Sequence, residues 1–496
     1  MSKKIQFMRD TDIIAVSDNI DNIMKKARAK EIQLIEPFFD EFIAVRSIIL
    51  NYIKKEKRII YGGYAWNNLI KNVSPDDVFY SDTDYTDIEF YSNKPIEDMK
   101  NICDIISDKG YKFIQGKSAQ HDDTYTIFVN FTGYCDISYM PSNIFYSCMT
   151  ENIDGYRLIH PKFIMIDILR MLTDPITSYW RLDKAHRRGK LMIKHFPFEF
   201  KNQSSIVESV LKPKTSELIN EIFEQITSMS TILFAGSIAL NAFFNPVVDI
   251  NQQITVYDNK SLELISVNLA EDVKQIYQII LKYFMDNNKL DTFNDHILLE
   301  QYYPFFQFTD RKAIFKYDGD IFITIYGNNE KCIPYNDLKL KYNNLNISIH
   351  CPTFNWIFML YLIKFHQAYA DKERDKQMLY NSIMSNLLIQ RDNFLESNKL
   401  TVLNETIFED FKITCLGNPV SPMRKFMLSR RDKKLMSKSA IFPYDPDERR
   451  DNYSLDIYNF HNYSGNIINN PKDFIYNINK NKINNFITNE NSELNN

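Results

Sequence analysis

Three carboxylates in the first third of the chain have the spacing of a metal site built on two strands. Asp87 and Glu89 lie two residues apart in the segment TDIEFY, so on a β-strand their side chains share one face. A third acid, Asp136, interrupts a second apolar segment, GYCDISY. Acids in such positions are costly unless cations compensate them. Two Mg²⁺ (or Mn²⁺) ions roughly 3.5–4 Å apart would do so, and such a pair catalyses in-line phosphoryl transfer.

A glycine turn precedes these acids, and a competing acidic pair leaves their register open. Gly62 and Gly63 follow an apolar strand and form the turn into the next helix. Asp82 and Asp84 form the competing pair, but their spacer is polar and they precede the apolar segment. We therefore favour the acids within the apolar segment. These acids could instead form a solvated turn that has no catalytic function, since D-h-E-h patterns also arise by chance.

Hydrophobic periodicity places these residues among alternating helices and strands. Apolar residues recur at helical spacing in the N-terminal segment, where Pro37 would kink or restart the helix. The three tryptophans, Trp66, Trp180 and Trp356, are expected in the core. The predicted order is helix 29–55, strand 59–61, helix 64–72, strand 87–91, helix 94–109, strands 125–131 and 134–139, and helices 163–172 and 178–194.

The second half of the chain repeats this order, which predicts a duplicated domain. The echoes pair segment 232–241 with 59–67, segments 313–316 and 321–326 with the strands around Asp136, and segment 347–352 with 157–161. Asp249, Asp258 and Glu263 lie in the second copy, but none is part of a D-h-[DE]-h pattern. We therefore interpret the second copy as a catalytically inactive scaffold or binding surface.

Length and composition indicate an ordinary globular protein with two or three domains. The chain has 496 residues, of which 44% are hydrophobic and 25% charged, and its net charge is −4. Any surface for nucleic acid must therefore be local. The predicted divisions are an N-terminal helical segment at 1–55, a catalytic domain at 56–200, a degenerate copy at 205–400, a basic region at 401–460 and an Asn-rich, partly disordered tail at 461–496.

Cysteine usage and hydropathy predict a reducing compartment and no membrane span. The six cysteines include no C-x-x-C pair, so we expect free thiols rather than disulfides. The N-terminus lacks an apolar signal region, and no stretch approaches the ~20 apolar residues that span a bilayer. These observations predict a soluble, intracellular protein.

The pattern h-G-G…D-h-E-h…D resembles the nucleotidyltransferase superfamily of DNA polymerase β. The resemblance implies an α+β fold of tandem domains, each a mixed sheet flanked by helices, the first active and the second degenerate. It implies that Gly62 and Gly63 lie against the incoming triphosphate and that Asp87, Glu89 and Asp136 are the catalytic acids that hold two metals. Gly63 stands where serine is commoner in this superfamily, which removes a hydroxyl ligand to phosphate.

A closer resemblance is to the poly(A) polymerase catalytic subunits of nucleocytoplasmic large DNA viruses, the poxvirus, asfarvirus and mimivirus group. The segments that carry it are RIIYGGYAWN at 58–67, SDTDYTDIEFYS at 81–92, YCDISYMP at 134–141 and RMLTDPITSYWRLDKAHRR at 170–188. Members of this family carry a second, inactive nucleotidyltransferase-like domain, which suits the duplication. The resemblance implies template-independent addition of AMP from ATP to RNA 3′ ends during viral mRNA polyadenylation, in host cytoplasm or virion.

Basic residues near both ends of the catalytic region are candidates for phosphate binding. The first set recurs at helical spacing directly after the catalytic strands, and the second interleaves basic with apolar residues. For the nucleotide we favour Arg181 and Lys184, together with Asn67 of the turn motif. The candidates for RNA contact are Arg187, Arg188, Arg424, Lys425, Arg430 and Arg431. Either set could instead be a solvated basic face.

Two alternative functions stay open at this point. The first is another nucleotidyltransferase: a CCA-adding enzyme, a uridylyltransferase or an enzyme that transfers a nucleotide to a small molecule. The second is a non-catalytic subunit that binds RNA or a partner protein, which the intact acids of the first copy argue against. Processivity could come from a homodimer, from a viral processivity subunit or from the second domain.

Overall fold

The chain forms two compact units in a computed structural model that describes residues 7–34, 39–81, 84–119, 123–198, 213–247, 253–256, 261–302, 306, 310–328, 331–342 and 345–419. Of these residues, the first unit comprises the chain up to 139 together with 150–158. The second unit comprises 140–149 and the chain from 159 onward.

Helices and strands alternate through both halves of the chain. The first half contains α1 (Asp10–Leu34), α2 (Phe39–Lys55), β1 (Ile59–Tyr61), α3 (Gly62–Val73), β2 (Ile88–Ser92), α4 (Pro95–Asp108), β3 (Ile114–Ser118), β4 (Thr124–Val129), β5 (Thr132–Tyr139), α5 (Ser142–Ser147), β6 (Thr150–Ile153), β7 (Tyr156–Ile159), α6 (Pro161–Leu172), α7 (Pro175–Ser178) and α8 (Leu182–His195). The second half contains α9 (Pro213–Thr227), β8 (Ile232–Phe234), α10 (Gly236–Phe244), β9 (Gln253–Val256), β10 (Leu262–Ser266), α11 (Leu269–Asp286), α12 (Leu290–His296), β11 (Ile297–Tyr302), β12 (Lys312–Tyr317), β13 (Asp320–Gly327), β14 (Ile333–Tyr342), β15 (Leu345–Pro352), α13 (Phe354–Ala370), α14 (Arg374–Asn398) and β16 (Cys415–Leu416).

A mixed sheet in the order β3-β4-β5-β2-β1-β7-β6 is the centre of the first unit. β2 pairs antiparallel with β1 and parallel with β5. Ile88 and Phe90 of β2 are fully buried on one face of the sheet, and α4 packs against β2 and β5. Because side chains alternate along a strand, Glu89 lies on the opposite face.

The second unit repeats this topology. Its main sheet has the order β11-β12-β13-β10-β8, in which β10 is antiparallel to β8 and parallel to β13. β10 therefore corresponds to β2, β8 to β1, and β13 to β5. The predicted α+β fold of tandem, similarly built sheets with a helical N-terminal segment is confirmed. A further sheet of β14, β15, β16 and β9 has no counterpart in the described part of the first unit.

Three local predictions were wrong: the start of the first helix, the burial of Trp180 and the absence of disulfides. α1 begins at Asp10, well before the predicted start at 29. Ile13, Val16, Ile20 and Ile23 recur at helical spacing ahead of that start, and their side chains are exposed in the structure. Trp180 is 63% exposed, although Trp66 and Trp356 are buried as expected. Cys332 and Cys415 form a disulfide, because antiparallel pairing of β14 with β16 brings them together. The other four cysteines form no disulfide within the described residues.

The hydropathy prediction was made for the whole chain, whereas the structure tests it only for the helices that it describes. Within that part of the chain, every helix is too short or too polar to cross a membrane.

Candidate active site on the first sheet

The glycine turn connects β1 directly to α3. Gly62 has φ of +65°, a left-handed conformation that glycine adopts at little cost. The backbone N–H of Gly63 donates a hydrogen bond of 2.8 Å to Oε2 of Glu89 on the neighbouring β2. A Cβ on Gly62 would lie 1.7 Å from the same oxygen. The α3 N-terminus therefore holds an anionic group, as unpaired helix N–H groups favour, and only glycine leaves room for it.

Four adjacent strands place one row of polar side chains across the sheet. In the strand registers Tyr61 of β1 pairs with Glu89 of β2, Glu89 with Asp136 of β5, and Asp136 with Thr126 of β4. The Thr126 hydroxyl donates a short hydrogen bond to Oδ1 of Asp136. Two of the three predicted acids are thus register neighbours, and a hydroxyl orients one of them.

Asp87 lies one residue before β2 and is exposed. Burial raises the pKa of Asp136, the negative charge of Asp87 raises it further, and the hydrogen bond from Thr126 lowers it. In the described chain, neither Asp87 nor Asp136 takes part in an ion pair. The two carboxylates therefore repel each other, and no cation of the described residues pairs with either of them.

These acids fit a divalent cation by the chemistry of their donors. Among the described residues, no three His, Cys, Asp or Glu side chains already converge on one point, since Glu89 is bonded to Gly63 and Asp136 to Thr126. Carboxylate oxygens are the hard ligands that Mg²⁺ prefers. The raised pKa of Asp136 also reflects uncompensated negative charge, which a bound cation would offset.

Two side chains fix the loop before β2. One is Asn67, predicted to bind the nucleotide, and the other is Asp84, a member of the competing acidic pair. Oδ1 of Asn67 accepts hydrogen bonds from the backbone N–H groups of Phe79 and Tyr80, at 3.0 and 2.9 Å. The carboxylate of Asp84 accepts one of 2.6 Å from the N–H of Ser81. Asn67 therefore holds the loop, while Asp84 closes a turn outside the sheet. The competing acid Asp82 lies outside the described residues.

A second polar row, which sequence reasoning missed, lies next to the acids. The Tyr61 hydroxyl and Ser138 Oγ are 2.7 Å apart, and Ser138 Oγ lies 2.9 Å from Thr124 Oγ1. The Tyr61 ring stacks on Tyr91 at 3.9 Å between centroids. The alternation of polar residues at 124 and 126, and at 136 and 138, was the available signal.

The predicted basic residues of the first set lie in the second unit. Arg181 ends a 3-10 turn before α8, and its guanidinium lies 4.3 Å from the centroid of the exposed Trp180 ring. Lys184 is exposed on α8, and Arg187 pairs with Asp183 at 2.9 Å. Arg188, on the same helix, is partly buried. The second set, Arg424, Lys425, Arg430 and Arg431, lies outside the described residues.

Comparisons with known proteins cover both halves of the chain. The family model "Poly(A) polymerase catalytic subunit" matches residues 47–178. The model "APMV, Putative poly(A) polymerase, catalytic subunit, C-terminal" matches residues 208–480, more than half of the chain.

Individual relatives agree with these matches. A putative poly(A) polymerase catalytic subunit of Acanthamoeba polyphaga mimivirus is 32% identical over 501 residues, covering 94% of this chain and 84% of that protein. A protein of the same description from African swine fever virus (strain Badajoz 1971 Vero-adapted) is 27% identical over 175 residues, covering 34% of this chain and 36% of that protein. The crystal structure of the Megavirus polyadenylate synthase matches with a TM-score of 0.85 and 31% identity over 97% of both chains. The resemblance seen in the sequence is thereby confirmed, and the chain belongs to the poly(A) polymerase catalytic subunit family.

Proposed function

We propose that this protein is a template-independent polynucleotide adenylyltransferase that transfers AMP from ATP to the 3′ end of RNA. Family membership supports polyadenylation as the activity. The observation that carries the mechanism is the row of paired residues across the first sheet, in which Glu89 and Asp136 are register neighbours beside the Gly62 turn.

The three acids give the site its catalytic chemistry. Two divalent cations held by Asp87, Glu89 and Asp136 would activate the attacking hydroxyl and neutralise the triphosphate. Asp136 is the group closest in character to a general base, because burial and Asp87 raise the pKa of its carboxyl. The RNA 3′ oxygen attacks the α-phosphorus of ATP, the bond to the bridging oxygen breaks, and pyrophosphate leaves.

The glycine turn binds the triphosphate in this proposal. The N–H of Gly63 donates a hydrogen bond to Glu89 in this structure. A phosphate oxygen that takes this N–H releases the Glu89 carboxylate toward Asp136, so nucleotide binding and assembly of the acids are linked. Asn67 acts as a positioning residue, since it anchors the loop that leads to the acids.

Basic residues outside the first sheet are proposed to bind the remaining phosphates. Arg181 and Lys184 would contact the triphosphate, and Arg187 and Arg188 the RNA backbone. Their exposed or partly exposed positions on and before α8 leave them accessible to a polyanion. Contact with the RNA backbone is also proposed for Arg424, Lys425, Arg430 and Arg431.

A primer-extension assay with each nucleotide separately tests the activity. We expect ATP, with Mg²⁺ or Mn²⁺, to extend an RNA oligonucleotide, and chelation of the metal to abolish extension. The Asp87→Ala/Glu89→Ala variant should be inactive. The matched control is Asp84→Ala, which removes a nearby acid outside the sheet and should retain most activity. Full activity of the double variant would refute the assignment, and a preference for UTP or CTP would favour the alternative nucleotidyltransferases.

The relatives' description as catalytic subunits supports a search for a partner subunit. Processivity that comes from self-association can be distinguished from processivity that comes from a partner subunit. The measurement is the length of the products on a long primer at increasing protein concentration. Longer products with concentration, together with a dimer in sedimentation, indicate self-association. Short products at every concentration indicate that another subunit is needed.

A further inference from the structure

The second unit contains a counterpart of the glycine turn and of Glu89. Gly236 begins α10 with φ of +59°, as Gly62 begins α3. A Cβ on Gly236 would lie 2.7 Å from Cβ of Glu263 on β10, the strand that corresponds to β2. In both units, therefore, a left-handed glycine makes room for a glutamate on the neighbouring strand.

Strand registers identify what replaces the other acids. β10 and β13 pair Glu263 with Thr324, as β2 and β5 pair Glu89 with Asp136. Thr324 thus stands at the position of Asp136. Ser261 precedes Glu263 by two residues, as Asp87 precedes Glu89. One acid of the three is retained, in a place that the sequence pattern alone did not reveal.

A lysine compensates the retained acid. Lys364 of α13 is buried, and its ammonium forms an ion pair with Oε2 of Glu263. The rings of Tyr361, Tyr326 and Tyr380 surround this ammonium at 4.7, 5.6 and 5.8 Å from their centroids. A cation in such a setting gains from both the carboxylate and the ring faces.

We propose that the second unit is a relic of the same carboxylate site in which the Lys364 ammonium permanently takes the place of a metal ion. The unit therefore binds no divalent cation and keeps its shape without one. The comparison rests on the metal-binding role proposed for the first unit, but it concerns contacts within the second unit alone.

The charge around Glu263 supports this proposal. Lys312, on β12, is close enough to Lys364 that burial and the charge of Lys364 together lower its pKa to about 8. Burial also opposes the charge of Lys364, but Glu263 and the tyrosines outweigh it and raise the pKa of Lys364 well above its usual value. The charges of Lys312 and Lys364 thus both interact with the one retained glutamate, and the Lys364 ammonium already occupies the carboxylate that a further cation would need.

The proposal is tested by measuring Mn²⁺ binding to a full-length background variant in which the three acids of the first unit have been replaced. The background carries Asp87→Asn, Glu89→Gln and Asp136→Asn, so that binding by the first unit is removed. We expect this protein to leave the spectrum of free Mn²⁺ in electron paramagnetic resonance unchanged. Adding Lys364→Ala and Thr324→Asp should create a Mn²⁺ site, seen as loss of the free signal and as a Tm that rises with Mn²⁺. Binding of Mn²⁺ by the background that disappears with Glu263→Gln would overturn the proposal.

A charge cycle in the otherwise unchanged chain keeps the proposal testable if the designed site does not fold. Lys364→Met or Glu263→Gln alone leaves an uncompensated buried charge, and should lower Tm by roughly 6–12 °C. The double variant removes both charges and should recover most of that loss. Primer extension should persist in the double variant, which separates this result from failure of the proposed activity. A double variant less stable than either single variant would show that the pair does not act as a unit.

Discussion

At the scale of single residues, Gly62 couples backbone conformation to the position of Glu89, the carboxylate proposed to be catalytic. Gly62→Ala should lower stability by about 1–2 kcal/mol because of its positive φ. It should also displace Glu89, since the new Cβ would overlap Oε2, and so reduce kcat on the order of 10²-fold. Primer extension and thermal unfolding measure the two effects.

Gly110→Ala is the matched control for this prediction. Gly110 has φ of +88°, but a Cβ there would have no atom within 4 Å. The control should therefore lose similar stability and keep its activity. Equal kcat in the two variants would contradict the role given to the Gly62–Glu89 contact.

Thr126 is a positioning residue for Asp136. Thr126→Val keeps the shape of the side chain and removes the hydrogen bond to Asp136. We expect a loss of roughly 10–100-fold in metal affinity or kcat, as for other groups that orient metal ligands. Thr126→Ser retains the hydroxyl and should recover most of the loss. Identical Mg²⁺ titrations of the Val and Ser variants would argue against this role.

At the scale of elements, a buried ion pair fixes the helices that support the first sheet. Arg58, which precedes β1, binds Asp98 of α4 through two contacts of 2.7 Å, and Tyr52 of α2 donates to the same carboxylate. Asp98 is 1% exposed. Asp98→Asn should therefore cost about 3–5 kcal/mol in the free energy of unfolding, because it strands a buried guanidinium.

An exposed pair on the same helix provides the comparison for Asp98→Asn. Lys94 and Glu97 lie 3.2 Å apart with half-exposed side chains. Glu97→Gln should change the free energy of unfolding by less than about 1 kcal/mol. Urea titrations of both variants give the two values, and similar losses would mean that the Arg58–Asp98 pair has no special role.

The same elements show how far sequence patterns reach. The strands that carry Glu89 and Asp136 were predictable, because polar and apolar residues alternate along them. Their adjacency was not, since it depends on parallel pairing of β2 with β5 across the intervening α4, β3 and β4. The contact of Glu89 with Gly63 was equally hidden, because it depends on a backbone N–H. The equivalence of Glu263 with Glu89 required the strand register, and its partner Lys364 lies on a helix far along the chain.

At the scale of the whole molecule, the same sheet topology occurs twice, but Asp87 and Asp136 of the first unit and Glu263 of the second differ in whether a lysine among the described residues neutralises them. In the first unit Asp87 and Asp136 are left without a protein cation among the described residues. In the second unit the retained carboxylate of Glu263 is neutralised by Lys364. Uncompensated charge lowers the stability of the folded protein. Sites that bind charged ligands nevertheless retain such charge, because the ligand compensates it on binding. Under the proposed roles of the two units, this contrast accounts for one sheet topology that serves catalysis in one copy and structure in the other.

Two histidines, one buried and one partly buried, should make the second unit sensitive to acid. His366 of α13 is 2% exposed, with its ring 5.1 Å from that of Phe163 on α6, and burial lowers its pKa to about 3. His160 caps α6 by accepting the N–H of Lys162 at 3.1 Å, and burial lowers its pKa to about 4. Protonation of His160 would replace this acceptor with a donor and break the cap.

The sign of the effect follows from proton binding. The unfolded chain protonates both histidines near the ordinary value of 6.5, whereas the folded chain resists protonation until about 3 and 4. Stability is therefore full above pH 6.5 and falls as the pH decreases toward 4, by about 1.4 kcal/mol per pH unit for each histidine. Unfolding in urea between pH 7.5 and 5 should show this slope, and His366→Phe should remove roughly half of it. An unchanged slope in His366→Phe would show that His366 does not contribute to the acid sensitivity of the protein.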